Sequence, residues 1–505
     1  MEKISRWMKN CSKQHRLCAQ ASQPSQLPSR VLEIISPETL RLHVAQPSEV
    51  ANYACLSHCW GDTQLIQTTT TSLDAHTKNI PWAELPKTFQ HAVHVTAKLG
   101  LRYLWIDSLC IVQNDKEDWR HEGSKMAQIY MNSYITIAAT ASKDSSQGLF
   151  RVHGHEHAPK THQLQGQNLL EYDIHVRKPL PHFNNGSIRT EGEQDYFPLL
   201  QRGWVHQERL LSPRVVHFGP EEVLWECLNT TTCECQCWPM NNNETKTGTM
   251  DIALLGHKEG LYSAYQKHEV NKQWCQIVSQ YSQMKLTLER DIFPALQGIA
   301  KTFSRVKECA YYAGLWEDSL ILDLTWWCSR KTPGVRPQTW RAPSWSWASI
   351  VGPVFYLNSY LRKLCVTVLS VEVTLVGSDP FGEIASATLT LAGSAVSGTL
   401  DFSSGSCYLA CQTKALPSKH HDSRTSLRLA FASDYDLRLF DGSQMWGMRM
   451  AEGLYNYFLI LRQVDEANQI FERVGMEISY SELNQGRHDL RYFEENACPL
   501  TATII

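Results

Sequence analysis

The first 220 positions alternate between two hydrophobic rhythms. Ile4, Trp7, Met8, Cys11, His15 and Cys18 recur at helical spacing, so one helix is predicted over residues 3–18, ended by the proline-containing "PSQLPS". "VLEII" and "LRLHVA" then predict two short strands. "YACLSHCWG", Tyr53 to Gly61, starts as a buried strand and turns polar at Ser57 and His58. "LPKTFQHAVHVTAKLGL" puts a proline near a helix start and sets Phe89, Val93 and Ala97 on one stripe. "RYLWIDSLCIV" reads as a buried strand, "DKEDWRHEGSKMAQIYMNS" as a helix and "YITIAATAS" as a further strand. Strand, helix, strand, helix, strand is the alternation of a parallel sheet covered by helices.

Residues 151–198 are polar and rich in His, Asn and Gln, which predicts an insertion of loops and short strands. "QRGWVHQERLLSPRVVHFG" restores order as a short helix and a strand, followed by "EVLWEC". From about 258 to 330 the periodicity is mostly helical, and "RPQTWRAPSWSWASIVG" forms a Pro- and Trp-rich turn region. Beyond it, "LCVTVLSVEVTLVG", "ATLTLAG", "YFLILRQV" and "IFERVGMEI" alternate or run apolar over strand lengths.

At 505 residues the chain is long enough for several domains, and 43% hydrophobic against 20% charged residues makes it globular. A formal charge of −3 supplies no general basic field, so nucleic acid is not expected as a partner. No apolar run reaches a membrane-spanning length, and the N-terminus lacks the apolar core of a secretory signal. The 16 cysteines are scattered through a large chain. With no leader they read as reduced thiols, and the expected location is the cytoplasm.

Three separated blocks point one way. "YACLSHCWG", "LRYLWIDSLCIVQND" and "RGWVHQERLLSPRVVHFG" resemble, in order, the signature blocks of the fungal heterokaryon-incompatibility (HET) domain, with "MAQIYMNSYITIAATAS" between the second and third. "WMKNCSKQHRLC", "DIFPALQGIAKTF", "YYAGLWED" and "RAPSWSWASIVG" resemble segments that flank that domain, so the likeness extends over about residues 1–352. Within the blocks His58, Val112 and His206 depart from the family's usual residues. The resemblance implies a role in self/non-self recognition and programmed cell death. It also implies a distant relation to the Toll/interleukin-receptor (TIR) fold, some of whose members assemble to signal while others cleave NAD through a glutamate.

Candidate chemistry gathers on carboxylates. Trp119, Glu122, Met126 and Ile129 share a helix face, which places the Glu122 carboxylate among apolar side chains and raises its pKa unless a cation or donor compensates. It is either a general acid or ribose-binding group, or the anion of a buried pair with an arginine such as Arg102 or Arg202. Glu208 shares a face with Trp204 and Leu211 and raises the same choice. Asp107 follows the apolar "LWI" and is either a site residue at a strand's C-terminal end or a turn former. Ser57, His58, Trp60, Asp107, Arg202 and Gln207 are the expected substrate-binding set around Glu122 and Glu208, suited to a ribose or phosphate although no Gly-rich phosphate loop is present.

Cysteine nucleophiles are not expected. Cys55, Cys59 and Cys110 lie in or beside apolar strands, where a thiol behaves as a small hydrophobe. Cys227, Cys233, Cys235 and Cys237, and Cys11, His15 and Cys18, lack paired C-x2-C spacing. They read as structural thiols, with the second group a docking stripe beside Trp7; structural zinc is the alternative at either place, and no metal site is assigned. "TWRAPSWSWAS" reads as core packing, with Arg341 pairing across a domain junction.

The expected organisation is an N-terminal helix at 1–30, a HET domain at 31–230 (blocks 53–61, 102–115 and 202–219), a mostly helical region at 231–340 and a β-rich region at 341–505. The expected fold is α/β, with a TIR-like, mainly parallel sheet and flanking helices. The expected function is incompatibility-type signalling through self-association or a protein partner. The alternative is a NAD glycohydrolase, with NAD as substrate and no cofactor assigned.

Overall fold

The computed structural model describes residues 1–61, 66–151, 158–165, 171–178, 180, 182, 196–236, 258, 267–357, 361–403, 406–412, 426–480 and 493–505. The chain divides into two compact units, Met1–Ala264 and Tyr265–Ile505.

The first unit holds an eight-stranded sheet. Its strands are β1 (Arg30–Ser36), β2 (Thr39–Val44), β3 (Tyr53–Ser57), β4 (Tyr103–Trp105), β5 (Ile135–Ala138), β6 (Arg214–Phe218), β7 (Val223–Cys227) and β8 (Thr231–Cys233). In space they run β8-β7-β6-β5-β3-β4-β1-β2. The described helices that frame the site are α1 (Glu2–Gln14), α2 (Arg16–Gln20), α3 (Lys87–Lys98), α4 (Asp107–Cys110), α5 (Lys116–Met131) and α6 (Gly203–Leu211).

The four central strands β4, β3, β5 and β6 are mutually parallel. The flanking pairs are antiparallel, so the sheet is mixed rather than mainly parallel. The reason is loop length. β1 reaches β2 through Pro37 and Glu38, and β6, β7 and β8 are joined by connections of four and three residues, which force antiparallel return. Only the helix-length crossovers at α3, α5 and α6 permit parallel neighbours.

Every residue of β3, β4, β5 and β6 is buried, as expected of central strands covered on both faces. Phe89 and Val93 of α3 and Ile129 of α5 close over Cys55, Trp105 and Ile137 in one core. Two predicted elements differ. The strand foreseen through "RYLWIDSLCIV" ends at Trp105, and Asp107 opens the short α4 instead. The helix foreseen over residues 3–18 breaks at His15, whose backbone is extended (φ −107°, ψ 112°) between α1 and α2.

Numbered by chain order alone, the four parallel strands lie in space as second, first, third, fourth. That is the start of the doubly wound arrangement in which ligands bind between the C-terminal ends of the first and third strands, where successive crossovers leave in opposite directions. In this chain those are the ends of β3 and β5. Helix α6 is anchored beside them through Arg209, which donates to buried Glu226 of β7 (Nε–Oε2 2.9 Å).

The second unit begins with helices Lys267–Tyr281 and Gln297–Lys307 and ends in a β-rich region. The Trp-rich turn packs as core. Trp345 and Trp347 are buried, and the indoles of Trp274 and Trp347 both donate to the Gly314 carbonyl at 3.0 and 3.1 Å. Gly314 sits at φ +94°, and a Cβ there would meet the Trp347 indole nitrogen at 2.5 Å. Arg341 donates to the Ala348 and Ile350 carbonyls at 2.8 and 2.7 Å and, across the expected boundary between the helical and β-rich regions, to the Glu289 carbonyl at 3.3 Å. Strand Ile384–Ser403 pairs antiparallel with both Ser406–Gln412 and Gln444–Gly453, which closes six antiparallel strands into a ring. Closure leaves none of these six as a free edge. No helix among the described residues is long and apolar enough to cross a membrane.

Candidate functional site

β3 delivers Ser57 and then His58 to the C-terminal edge of the parallel strands, and both are buried. Gly61 ends this passage at φ +73°, where a Cβ would stand 2.3 Å from that of Asp144, so only glycine turns the chain here without displacing its neighbour. From β4, the chain enters α4 at Asp107, whose Oδ1 accepts from the Ser108 amide at 2.8 Å. From the far side, α6 presents Glu208 inward, with Arg202 at its N-cap.

These side chains meet. Ser57 Oγ donates to Glu208 Oε2 at 2.5 Å. The Trp60 indole donates to Asp107 Oδ2 at 2.8 Å, and the other Asp107 oxygen lies 3.9 Å from His58 Nδ1. Arg202 Nη1 donates to the His58 carbonyl at 2.5 Å. Tyr130 of α5 donates to the Leu56 carbonyl at 3.2 Å and also reaches the Glu208 carboxyl. Gln207 is buried in the same helix as Glu208.

Burial sets the electrostatics. It pushes the Glu208 carboxyl up to about 7, and nearby Asp107 adds to the rise, while Ser57, Arg202 and Tyr130 oppose it. Burial drives His58 down to about 4 despite the attraction of Asp107, and Arg202 adds to the fall. The imidazole is therefore neutral at pH 7, with its Nε2 buried and without a hydrogen-bond partner among the described residues. A carboxyl that titrates near neutrality can both give and take a proton, and a neutral imidazole beside it can donate or accept. Burial also lifts the Cys59 and Cys110 thiols to about 11 and about 12 and holds Cys55 well above the ordinary thiol value, which makes them poor nucleophiles.

Glu122 stands apart from this group. Its carboxylate is buried, but it accepts from Ser29 Oγ at 2.8 Å and from Lys125 at 3.2 Å. The arginines expected as its partners are engaged elsewhere, Arg102 with Glu33 and Arg202 with His58. Trp119, placed by spacing on the same covered face, is 38% exposed and stacks edge-on with Trp204. The structure thus brings Ser57, His58, Trp60, Asp107, Arg202 and Glu208 together and leaves Glu122 in a separate ion pair. Tyr130 is the member that sequence reasoning missed. Its signal was available, since it follows Met126 by one helical turn on the inner face of α5.

Two other groups bring metal-ligating atoms within 4.8 Å of one another: Cys11, His15, Cys18 and Cys227, and His182, Glu222, Cys233 and Cys235. Cys237, expected to join the second, lies outside the described residues.

The polar, partly acidic group stands at the strand switch point, the position at which parallel α/β sheets commonly place their ligand sites. Residues 53–208, from the first residue of β3 to Glu208 itself, match the family model for heterokaryon incompatibility protein (HET), and the chain carries a HET domain. No curated protein and no solved structure matches the chain.

Proposed function

We propose that this chain is a heterokaryon-incompatibility-type signalling protein that triggers programmed cell death when genetically unlike fungal cells fuse. The observation that carries the reading is the match over residues 53–208, which spans the buried polar group from the strand that bears Ser57 to Glu208. Assembly of the HET domain, with itself or with a partner protein, is the trigger in this account. A distant TIR-like relation is supported by the order of the four parallel strands.

One observation favours a second reading, NAD cleavage by the same group: the Glu208 carboxyl sits buried with a pKa near 7. In that chemistry the bond between nicotinamide and ribose breaks, nicotinamide leaves neutral, and water adds to the ribose carbon. Ionised Glu208 would stabilise the positive charge developing on the ribose and take the proton of the incoming water. Ser57 and Arg202 would hold the ribose hydroxyls or the adjoining phosphates.

Inducible expression of the full chain in a fungal host, with and without a fused dimeriser, tests the proposal. Loss of viability that deepens on clustering is expected. Unimpaired growth at high expression in both states would overturn it. Cellular NAD, followed in the same cultures, separates the readings: a fall before death supports cleavage, and constant NAD during killing leaves signalling alone.

A further inference from the structure

The N-terminal helices meet the far side of the sheet through three sulfurs and one imidazole. We propose that Cys11, His15, Cys18 and Cys227 form a structural zinc site that fastens α1 and α2 to the end of β7.

The backbone break at His15 makes this set possible. On one continuous helix Cys11 and Cys18 would be separated along the axis by roughly 10 Å, too far to share an ion. Because α1 stops at Gln14 and α2 restarts at Arg16, the ligand atoms of all three residues converge on Cys227. The four atoms lie within 4.8 Å of one another, and His15 Nδ1 is 3.4 Å from the Cys227 sulfur, 212 positions away in the chain. A tetrahedron with zinc–sulfur bonds of about 2.3 Å has edges of about 3.8 Å, which this spacing accommodates.

The group is enclosed. Cys11, Cys18 and Cys227 are almost wholly buried. Leu228, Asn229 and Thr230 form the short connection between β7 and β8 directly after Cys227. The turn carrying them is closed by the Cys227 amide on the Thr230 carbonyl at 2.9 Å. The buried guanidinium of Arg214 donates to the Cys18 carbonyl and the Ser22 hydroxyl beside the group, adding positive charge where three thiolates and one divalent ion leave a net negative one. Three thiols cannot all be consumed by one disulfide, and Cys11, Cys18 and Cys227 are all free. Four protein ligands with no open position define a structural rather than a catalytic zinc centre. Loop entropy adds to its effect, because one ion closes a loop of over 200 residues.

Metal content of the full chain, purified without chelator, tests the site by plasma mass spectrometry. Cys227→Ser and Cys11→Ser should each lose one zinc equivalent relative to the parent, and the double variant no more than one. Metal held by the His182 group is unaffected by this difference. Since these variants could misfold, His15→Cys provides a folded counterpart that should keep the equivalent. Cobalt exchanged into the parent should give the sulfur-to-metal charge-transfer and visible bands of a tetrahedral site with three sulfur ligands and one nitrogen. In His15→Cys those bands should shift toward the pattern of four sulfur ligands. Unchanged zinc in both serine variants, a parent without stoichiometric zinc, or native alkylation of Cys11, Cys18 and Cys227 at the rate of exposed Cys498 would each overturn the proposal.

Discussion

Ser57, the last residue of β3, gives its hydroxyl hydrogen to the Glu208 carboxyl of α6 at 2.5 Å, joining positions 151 residues apart. That bond links the first and third signature blocks of the HET domain at the strand switch point. It also holds a buried carboxyl whose titration falls near neutral pH.

Folding stability should record that titration. With a folded pKa of about 7 against 4.5 unfolded, Glu208 keeps its proton in the folded state while the unfolded chain releases it. Stability is therefore lost as pH rises from 4.5 to about 7, by roughly 3 kcal/mol. Glu208→Gln removes this dependence, so its stability relative to the parent should improve by that order across the same window. Chemical unfolding of the first unit at a series of pH values measures it.

His58 acts with the opposite sign. Its folded pKa of about 4 lies below the unfolded 6.5, so acid protonates the unfolded chain first and stability is lost as pH falls from 6.5 through 4. The two groups offset one another in the parent between 4.5 and 6.5. His58→Asn should unmask the Glu208 dependence, giving a protein that weakens steadily as pH rises to about 7. A pH profile for His58→Asn parallel to the parent's would refute the pairing of these two titrations.

How much of this was legible in the sequence depended on range. Periodicity located β3, β4 and β5 and the helices between them, because each is a local pattern. The strand-end cluster was also within reach, since Ser57, His58 and Asp107 follow apolar runs. Strand direction on the flanks was not, because it is set by turns rather than by hydrophobic pattern. Glu122 misled because helical spacing reports which face is covered, not which donors lie on the covering elements. Ser29 comes from outside the helix and carries no signature, whereas Lys125, three residues on in the same helix, was within reach of spacing. Cys227 likewise joins Cys11, His15 and Cys18 only through tertiary contact.

Glu122→Gln should cost only about 1 kcal/mol. The Ser29 bond survives in kind, and Lys125 is 35% exposed, so water receives most of the cation that loses its partner. This is less than the roughly 3–5 kcal/mol expected when a fully buried cation is stranded. Thermal unfolding distinguishes the two, and killing should be unchanged from the parent.

Gly61→Ala should destabilise by more than about 1 kcal/mol, because it combines a left-handed backbone (φ +73°) with a 2.3 Å approach to Asp144. The same turn carries Trp60 onto Asp107, so indole burial should change with it. Trp60 fluorescence, isolated by difference against a Trp60→Phe background, reports the displacement.

Death induction by parent, Glu208→Gln and Glu122→Gln, expressed to equal folded levels in one fungal host, decides whether the strand-end group carries function. The parent and Glu122→Gln should kill alike while Glu208→Gln should not, because only Glu208 belongs to the group at the strand switch point. Equal killing by folded Glu208→Gln would contradict it.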